Sequence, residues 1–119
     1  MINSDNVLDP DEVWPDVDQG VQIIFQVGNR RLVLSIARNI LTYGYPQHAS
    51  LALFYVEDEH QEWQTPDDVG LPALAPLWAD PRLARADGPI IHWVTRDQAI
   101  MAAQAAAAVY RPIEIKLFT

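Results

Sequence analysis

The sequence predicts one α+β domain: a mixed, mainly antiparallel sheet of about five strands, in the order β-β-α-β-β-α-β, with helices packed on one face. Three observations predict it. Runs rich in β-branched and aromatic residues indicate strands, a glycine–asparagine pair joins the first two, and an alanine-rich helical stretch separates the last two. The chain of 119 residues suits a single domain that folds without disulfides, and it has no cysteine. We assign residues 1–20 to an acidic N-terminal arm and 21–119 to the globular domain.

The first half predicts a hairpin followed by a helix. Within the arm, residues 9–12 can begin a short helix, with aspartate as the cap and proline at the first position. Residues 21–27 alternate apolar side chains on one face and predict the first strand. The pair at 28–29 is a two-residue hairpin turn. The return strand covers 30–35, and apolar residues at helical spacing then predict a helix over 35–42.

The middle of the chain predicts a strand, an acidic loop and a helix start. Residues 50–56 are continuous, apolar and β-favouring, so they predict the third strand. The acidic stretch that follows reads as a loop. The sequence Thr-Pro-Asp-Asp at 65–68 has the hydroxyl cap, the proline and the acids typical of a helix N-terminus. The apolar residues after it are expected to cover the core.

The last third predicts a strand–helix–strand unit. Residues 90–94 form the fourth strand, and Thr95 and Gln98 form a capping box for a helix that continues to residue 109. In residues 113–118, Ile113, Ile115 and Leu117 alternate with Glu114, Lys116 and Phe118, which predicts a terminal strand with one buried face. The two strands of this unit could be a parallel pair joined by a right-handed crossover.

The negative charge is concentrated in two short segments. The formal net charge is −8, and 12 of the 16 acids lie in residues 1–18 and 57–68, which contain no lysine or arginine. The rest of the chain has a net charge of +4. Each acidic segment also carries a tryptophan, and an aromatic anchor among charges is typical of a protein-binding surface. The alternative is that both segments are solvated and that Trp14 holds the arm against the core.

We therefore expect a non-catalytic protein-binding module for a basic partner, and steering of that partner by the acids would make association fast and salt-sensitive. At the level of class, the chain is similar to immunity and antitoxin proteins, which inhibit basic bacterial toxins. The expected partner-binding residues are Asp9, Asp11, Glu12, Trp14, Asp16, Glu57, Asp58, Glu59, Glu62 and Trp63.

Three other functions remain open. A small-molecule-binding domain or small enzyme could use a pocket near Tyr43, Tyr45, His48 and His92. A nucleic-acid mimic could present its carboxylates in place of phosphates. A structural or oligomeric protein could use an exposed sheet edge.

Several classes of function lack support in the sequence. The chain contains no nucleophile elbow, phosphate-binding loop or metal-ligand spacing, so we expect no cofactor, metal or catalytic set. His60 stands among acids, which is a possible metal-ligand neighbourhood, but such loops are usually solvated. The acidity argues against binding nucleic acid or an anionic membrane. The N-terminus lacks the basic and apolar regions of a signal peptide, which predicts a cytoplasmic protein.

Overall fold

The protein is a sheet-dominated α+β fold. The computed structural model describes residues 8–16, 19–84 and 89–118. The elements, in chain order, are α1 (Pro10–Val13), β1 (Gln19–Val27), β2 (Arg30–Arg38), β3 (His48–Glu57), β4 (His60–Gln64), a 3-10 helix (Pro72–Leu74), α2 (Ala75–Ala79), β5 (Ile91–Thr95), α3 (Arg96–Val109) and β6 (Pro112–Phe118).

The six strands form one antiparallel sheet in the order β4-β3-β2-β1-β6. β5 also pairs with β3, on the same side as β4. β4 pairs with the second half of β3, from Leu53 to Glu57, whereas β5 pairs with its first half, from His48 to Leu51. The predicted parallel pair is wrong, because β5 and β6 lie at opposite edges of the sheet. α3 connects these edges, and its 14 residues extend about 21 Å, enough to cross four strands.

The predicted helix over 35–42 is also wrong. β2 continues to Arg38, and turns follow it. β2 pairs along its whole length with β1, and along most of it with β3, up to Ala37 opposite Ser50. A segment with a strand on each side has both its backbone edges satisfied. This pairing outweighs the helical spacing of the apolar residues.

Two further local predictions need correction. The acidic stretch after β3 is not an irregular loop, because it turns at Asp58 and returns as β4. The Asp68 N–H does donate to the Thr65 hydroxyl (3.4 Å), as expected of a cap, but no helix follows directly. Instead the Leu71 N–H donates to the Pro66 carbonyl (2.9 Å), which closes a turn before the 3-10 helix.

Several local signals are confirmed. Asp9 caps α1, with the Asp11 N–H donating to its carboxylate at 2.9 Å. Thr95 and Gln98 form both hydrogen bonds of the capping box at the start of α3. Gly28 has a φ of +62° and begins the β1–β2 turn, while Asn29 has a negative φ, the pattern of a type II′ hairpin turn.

The main core lies on one face of the sheet, which we call the core face. It contains Val21, Ile23 and Phe25 of β1 with the aligned residues of β2 and β3. The buried alanines of α3 belong to the same cluster, as do Leu71, Leu74 and Leu77. Alanines allow the helix to approach the strands closely, and the larger strand residues fill the interior.

The opposite face, which we call the second face, has a smaller apolar cluster. Its buried members are Ile24, Val33, Ala52 and Phe54.

Within the described part of the chain, no helix is both long and apolar enough to cross a membrane.

Candidate functional site

The ten predicted partner-binding residues do not form one patch. The arm residues 9–16 lead into β1 at Gln19, whereas residues 57–63 surround the turn at the end of β3. β1 and β3 flank β2 and run in the same direction, so the start of one and the end of the other lie at opposite ends of the sheet. A nine-residue strand is roughly 26 Å long. The two acidic segments are therefore separated by about the length of the sheet.

The arm is held against the sheet. Leu8 and Val13 are fully buried in the main core. The Leu8 backbone exchanges hydrogen bonds with the Gln104 side chain of α3. Arg38, at the end of β2, lies over the Trp14 ring at 5.0 Å and donates to the Pro15 carbonyl. Trp14 is thus part of an attachment that gives the acids beside it a defined position.

Between this arm and the β1–β6 edge of the sheet lies a cavity of about 310 Å³, which we call the arm pocket. Its apolar wall includes Val21, Ile115 and Leu117, and the Leu117 side chain is 66% exposed. The complete lining is Asp11, Glu12, Trp14, Pro15, Asp16, Gln19, Val21, Ile115 and Leu117. The lining contains three carboxylates and no base; one of the three, Asp11, also forms an ion pair with Arg96 at the start of α3 (3.6 Å). An apolar wall with an acidic rim is suited to a long cationic side chain, whose stem is aliphatic and whose head is charged.

Leu117 also corrects the prediction that β6 has one buried face. Leu117 and Ile113 are exposed, and Ile115 is only partly buried. β6 pairs with β1 on one side, and no other described strand pairs with it. An outermost strand has a neighbour on one side only, so the arm and α3 cover its side chains incompletely.

The acidic segment at the other end, residues 57–63, is less strongly negative than its sequence suggests. Arg30 forms an ion pair with Glu62 (2.6 Å) and lies 3.8 Å from the centre of the Tyr55 ring. The hydrogen bond and the charge of Arg30 lower the pKa of the Glu62 carboxyl. A cavity of about 570 Å³ at this end includes Arg31 as well as Arg30, with Glu57 and Asp58, so opposite charges balance there.

Glu59 and Trp63 complete this segment. Glu59 lies in the turn and is exposed. Trp63 is opposite Phe54 in the sheet and packs edge-on against it, with the ring centres 5.2 Å apart. Its side chain is 46% exposed and lies on the second face. Glu62, one residue earlier, lies on the core face, so these two predicted residues point in opposite directions.

The second predicted site is largely brought together. Tyr43 packs edge-on against His92 (4.7 Å between ring centres) and stacks on Trp93 (6.1 Å), which in turn contacts His48 (5.7 Å). Tyr45 precedes Pro46 in the same loop, and their peptide bond is cis. Trp93 was not among the residues predicted from the sequence. Its positive φ of 61° turns it out of the regular strand alternation.

A buried serine–histidine pair adjoins this aromatic cluster. The Ser50 Oγ lies 2.8 Å from the His92 Nδ1, and the two residues are only 8% and 7% exposed. The cavities described above are lined by neither residue. A nucleophile must reach its substrate, so this burial favours a structural role for the pair over catalysis.

The histidine and acid positions also bear on metal binding. Among residues 8–16, 19–84 and 89–118, no group of three His, Asp or Glu side chains is arranged to hold a metal ion.

No protein-family model matches this chain, and neither a curated protein nor a solved structure is significantly similar to it.

Proposed function

We propose that this protein is a non-catalytic binding module that recognises a basic protein partner through the arm pocket. The observation that carries the proposal is the combination in one cavity of an exposed apolar wall and three carboxylates, without a base. An arginine or lysine of the partner would place its aliphatic stem against Leu117 and its charged head among Asp11, Glu12 and Asp16. An inhibitor of a basic toxin, as in immunity proteins, is one role that this chemistry fits.

The acids near the β3–β4 turn have a different part in this proposal. They lie too far from the arm pocket to contact the same side chain, and Glu62 is already paired with Arg30. Their contribution is to the long-range field, which raises the association rate and decreases with ionic strength. The net charge of −8 attracts a basic partner, while the arm pocket supplies the close contacts.

Two triple variants with the same change in charge test this assignment. The arm variant carries Asp11→Asn, Glu12→Gln and Asp16→Asn, and the turn variant carries Glu57→Gln, Asp58→Asn and Glu59→Gln. Asparagine suits residue 58, whose φ is +56°, because it tolerates the left-handed region. The arm variant keeps the Asp9 cap, so α1 retains its N-terminal hydrogen bond.

The probe is a synthetic peptide rich in arginine and leucine, and affinity is measured by calorimetry at physiological ionic strength. We expect the arm variant to bind at least about tenfold more weakly, because three charge-assisted contacts are lost. The turn variant should lose less than about threefold, since only screened, distant charges change. Equal losses in the two variants would show that net charge alone governs binding. Failure of the wild-type protein to bind the peptide would also overturn the proposal.

A further inference from the structure

The outer edge of β6 has features of a contact surface. β6 is the last strand in the sheet order, and its outward backbone groups face no other described strand. Ile113 and Leu117 are 41% and 66% exposed, which is high for apolar residues of a strand. The β4 part of the other edge is different, because that strand is polar at nearly every position. Exposed edges of this kind can pair with a further strand.

The charges on β6 have no opposite partner within their own sheet. Glu114 lies across from Ile24, and Lys116 lies across from Gln22 in β1. Neither side chain forms an ion pair with another described residue. Both are exposed on the second face, two residues apart, with Ile115 between them on the core face. They therefore remain available to a strand that approaches from the open side.

We propose that this edge joins two copies of the chain in an antiparallel β6–β6 pair, with the twofold axis at Ile115. In this register Glu114 of one copy lies opposite Lys116 of the other, and the same pair occurs again across the axis. Ile115 meets its own counterpart. The regular pairing spans residues 114–116, because a register shift opposite Ile24 and Phe25 places Ile113 in a β-bulge. The two sheets become one continuous sheet of twelve strands.

The charges also select this register over its neighbours. In an antiparallel pair, two residues opposite each other point to the same face of the sheet. The twofold axis must therefore place one residue of β6 opposite the same residue of the other copy. An axis at Glu114 would place two glutamates opposite each other, and an axis at Lys116 would place two lysines together. Like charges directly opposite each other are unfavourable. Only the axis at Ile115 pairs unlike charges across both contacts.

The proposed dimer does not rest on the proposed function, because it needs no basic partner and forms through the backbone edge of β6. Its test uses the purified protein alone. Sedimentation equilibrium, over concentrations from low micromolar to the solubility limit, should show a reversible monomer–dimer equilibrium for the wild type at physiological ionic strength.

The variants are Lys116→Glu, Glu114→Lys and the double charge swap that combines them. Each single substitution replaces two attractive pairs with two repulsive ones, and we expect the dissociation constant to rise at least about tenfold. The double variant exchanges the two charges within each copy, so unlike charges again face each other across both contacts and wild-type dimerisation should recover. Circular dichroism and thermal unfolding check that all variants fold. In β1 the residues opposite these two positions, Ile24 and Gln22, are uncharged.

The two single variants also control for net charge, because Lys116→Glu changes it from −8 to −10 and Glu114→Lys changes it from −8 to −6. If repulsion between whole molecules governed association, the first variant would dimerise less than the wild type and the second would dimerise more. The proposed pairing predicts that both dissociate. A wild type that stays monomeric, opposite effects of the single variants, or a double variant that does not recover would each overturn the proposal.

Discussion

Gly44 is a position at which one added methyl group should be costly to the fold. Its φ is +77°, and a Cβ built there lies 2.6 Å from the His48 Nδ1, 2.7 Å from the His48 Cβ and 2.7 Å from the Trp93 Cε3. His48 is further held by the loop, because its ring nitrogen lies 3.2 Å from the Gly44 carbonyl. Neither ring can move without disturbing the aromatic cluster.

We expect Gly44→Ala to lower the free energy of unfolding by about 2–5 kcal/mol. The left-handed backbone costs an alanine about 1–2 kcal/mol, and overpacking adds about 1–3 kcal/mol. For a domain of this size the melting temperature should fall by roughly 8–20 °C. Urea unfolding followed by circular dichroism measures the loss without depending on the fluorescence of Trp93, which lies beside the substitution.

Gly28→Ala is the matched control. Gly28 has a similar φ of +62°, but no heavy atom lies within 4 Å of the position that a methyl group would take there. The Gly28→Ala variant should lose only the free energy of unfolding that comes from the left-handed backbone, about 1–2 kcal/mol. The difference between the two variants therefore measures the packing of His48 and Trp93 on Gly44. If Gly44→Ala were no more destabilising than Gly28→Ala, the described packing of the aromatic cluster would be wrong.

Two further predictions concern local electrostatics and capping. Arg30→Ala should raise the pKa of Glu62, measured by NMR titration of its carboxyl carbon, because the lost hydrogen bond and charge are what lower it. A lowered folded-state pKa stabilises the protein above the ordinary value of 4.5. The part of the wild-type advantage over Arg30→Ala that comes from the ion pair should therefore disappear as the pH falls through the folded-state pKa, while the part from the Tyr55 ring contact should remain. An advantage that did not change with pH would contradict this. Thr95→Ala removes the hydroxyl that accepts from the Gln98 N–H (3.1 Å) and should cost about 1 kcal/mol in urea unfolding. An unchanged midpoint would show that α3 does not depend on its cap.

Short-range chemistry explains which elements could be predicted. The Asp9 cap and the capping box at Thr95 are confirmed because a side chain and an N–H two or three residues away determine them. The first and third strands were located to within two residues of their observed ends, since continuous β-favouring residues have few alternatives. The predicted helix over 35–42 failed because its spacing fits both a helix and a strand. Hydrogen bonds from β1 and β3 decide between them, and these come from elsewhere in the chain.

The candidate site divides in the same way. The positions of the acids, and the presence of a tryptophan in each acidic segment, can be read directly from the sequence. Their separation cannot, because it depends on β1 and β3 running in the same direction on either side of β2. The apolar wall of the arm pocket could not be predicted either, because Leu117 comes close to Asp11 and Asp16 only when β6 pairs with β1.

The sequence by itself determined the charge, the helix caps and the existence of most strands, because these depend on residue type and on neighbours within a few positions. The tertiary structure decided which strand is outermost, which acids share a pocket and which are neutralised by arginine. Those features depend on contacts between residues up to a hundred positions apart, for which a local pattern carries no information. The net charge of −8 thus came from the sequence, while its distribution over two distant ends came from the topology of the sheet.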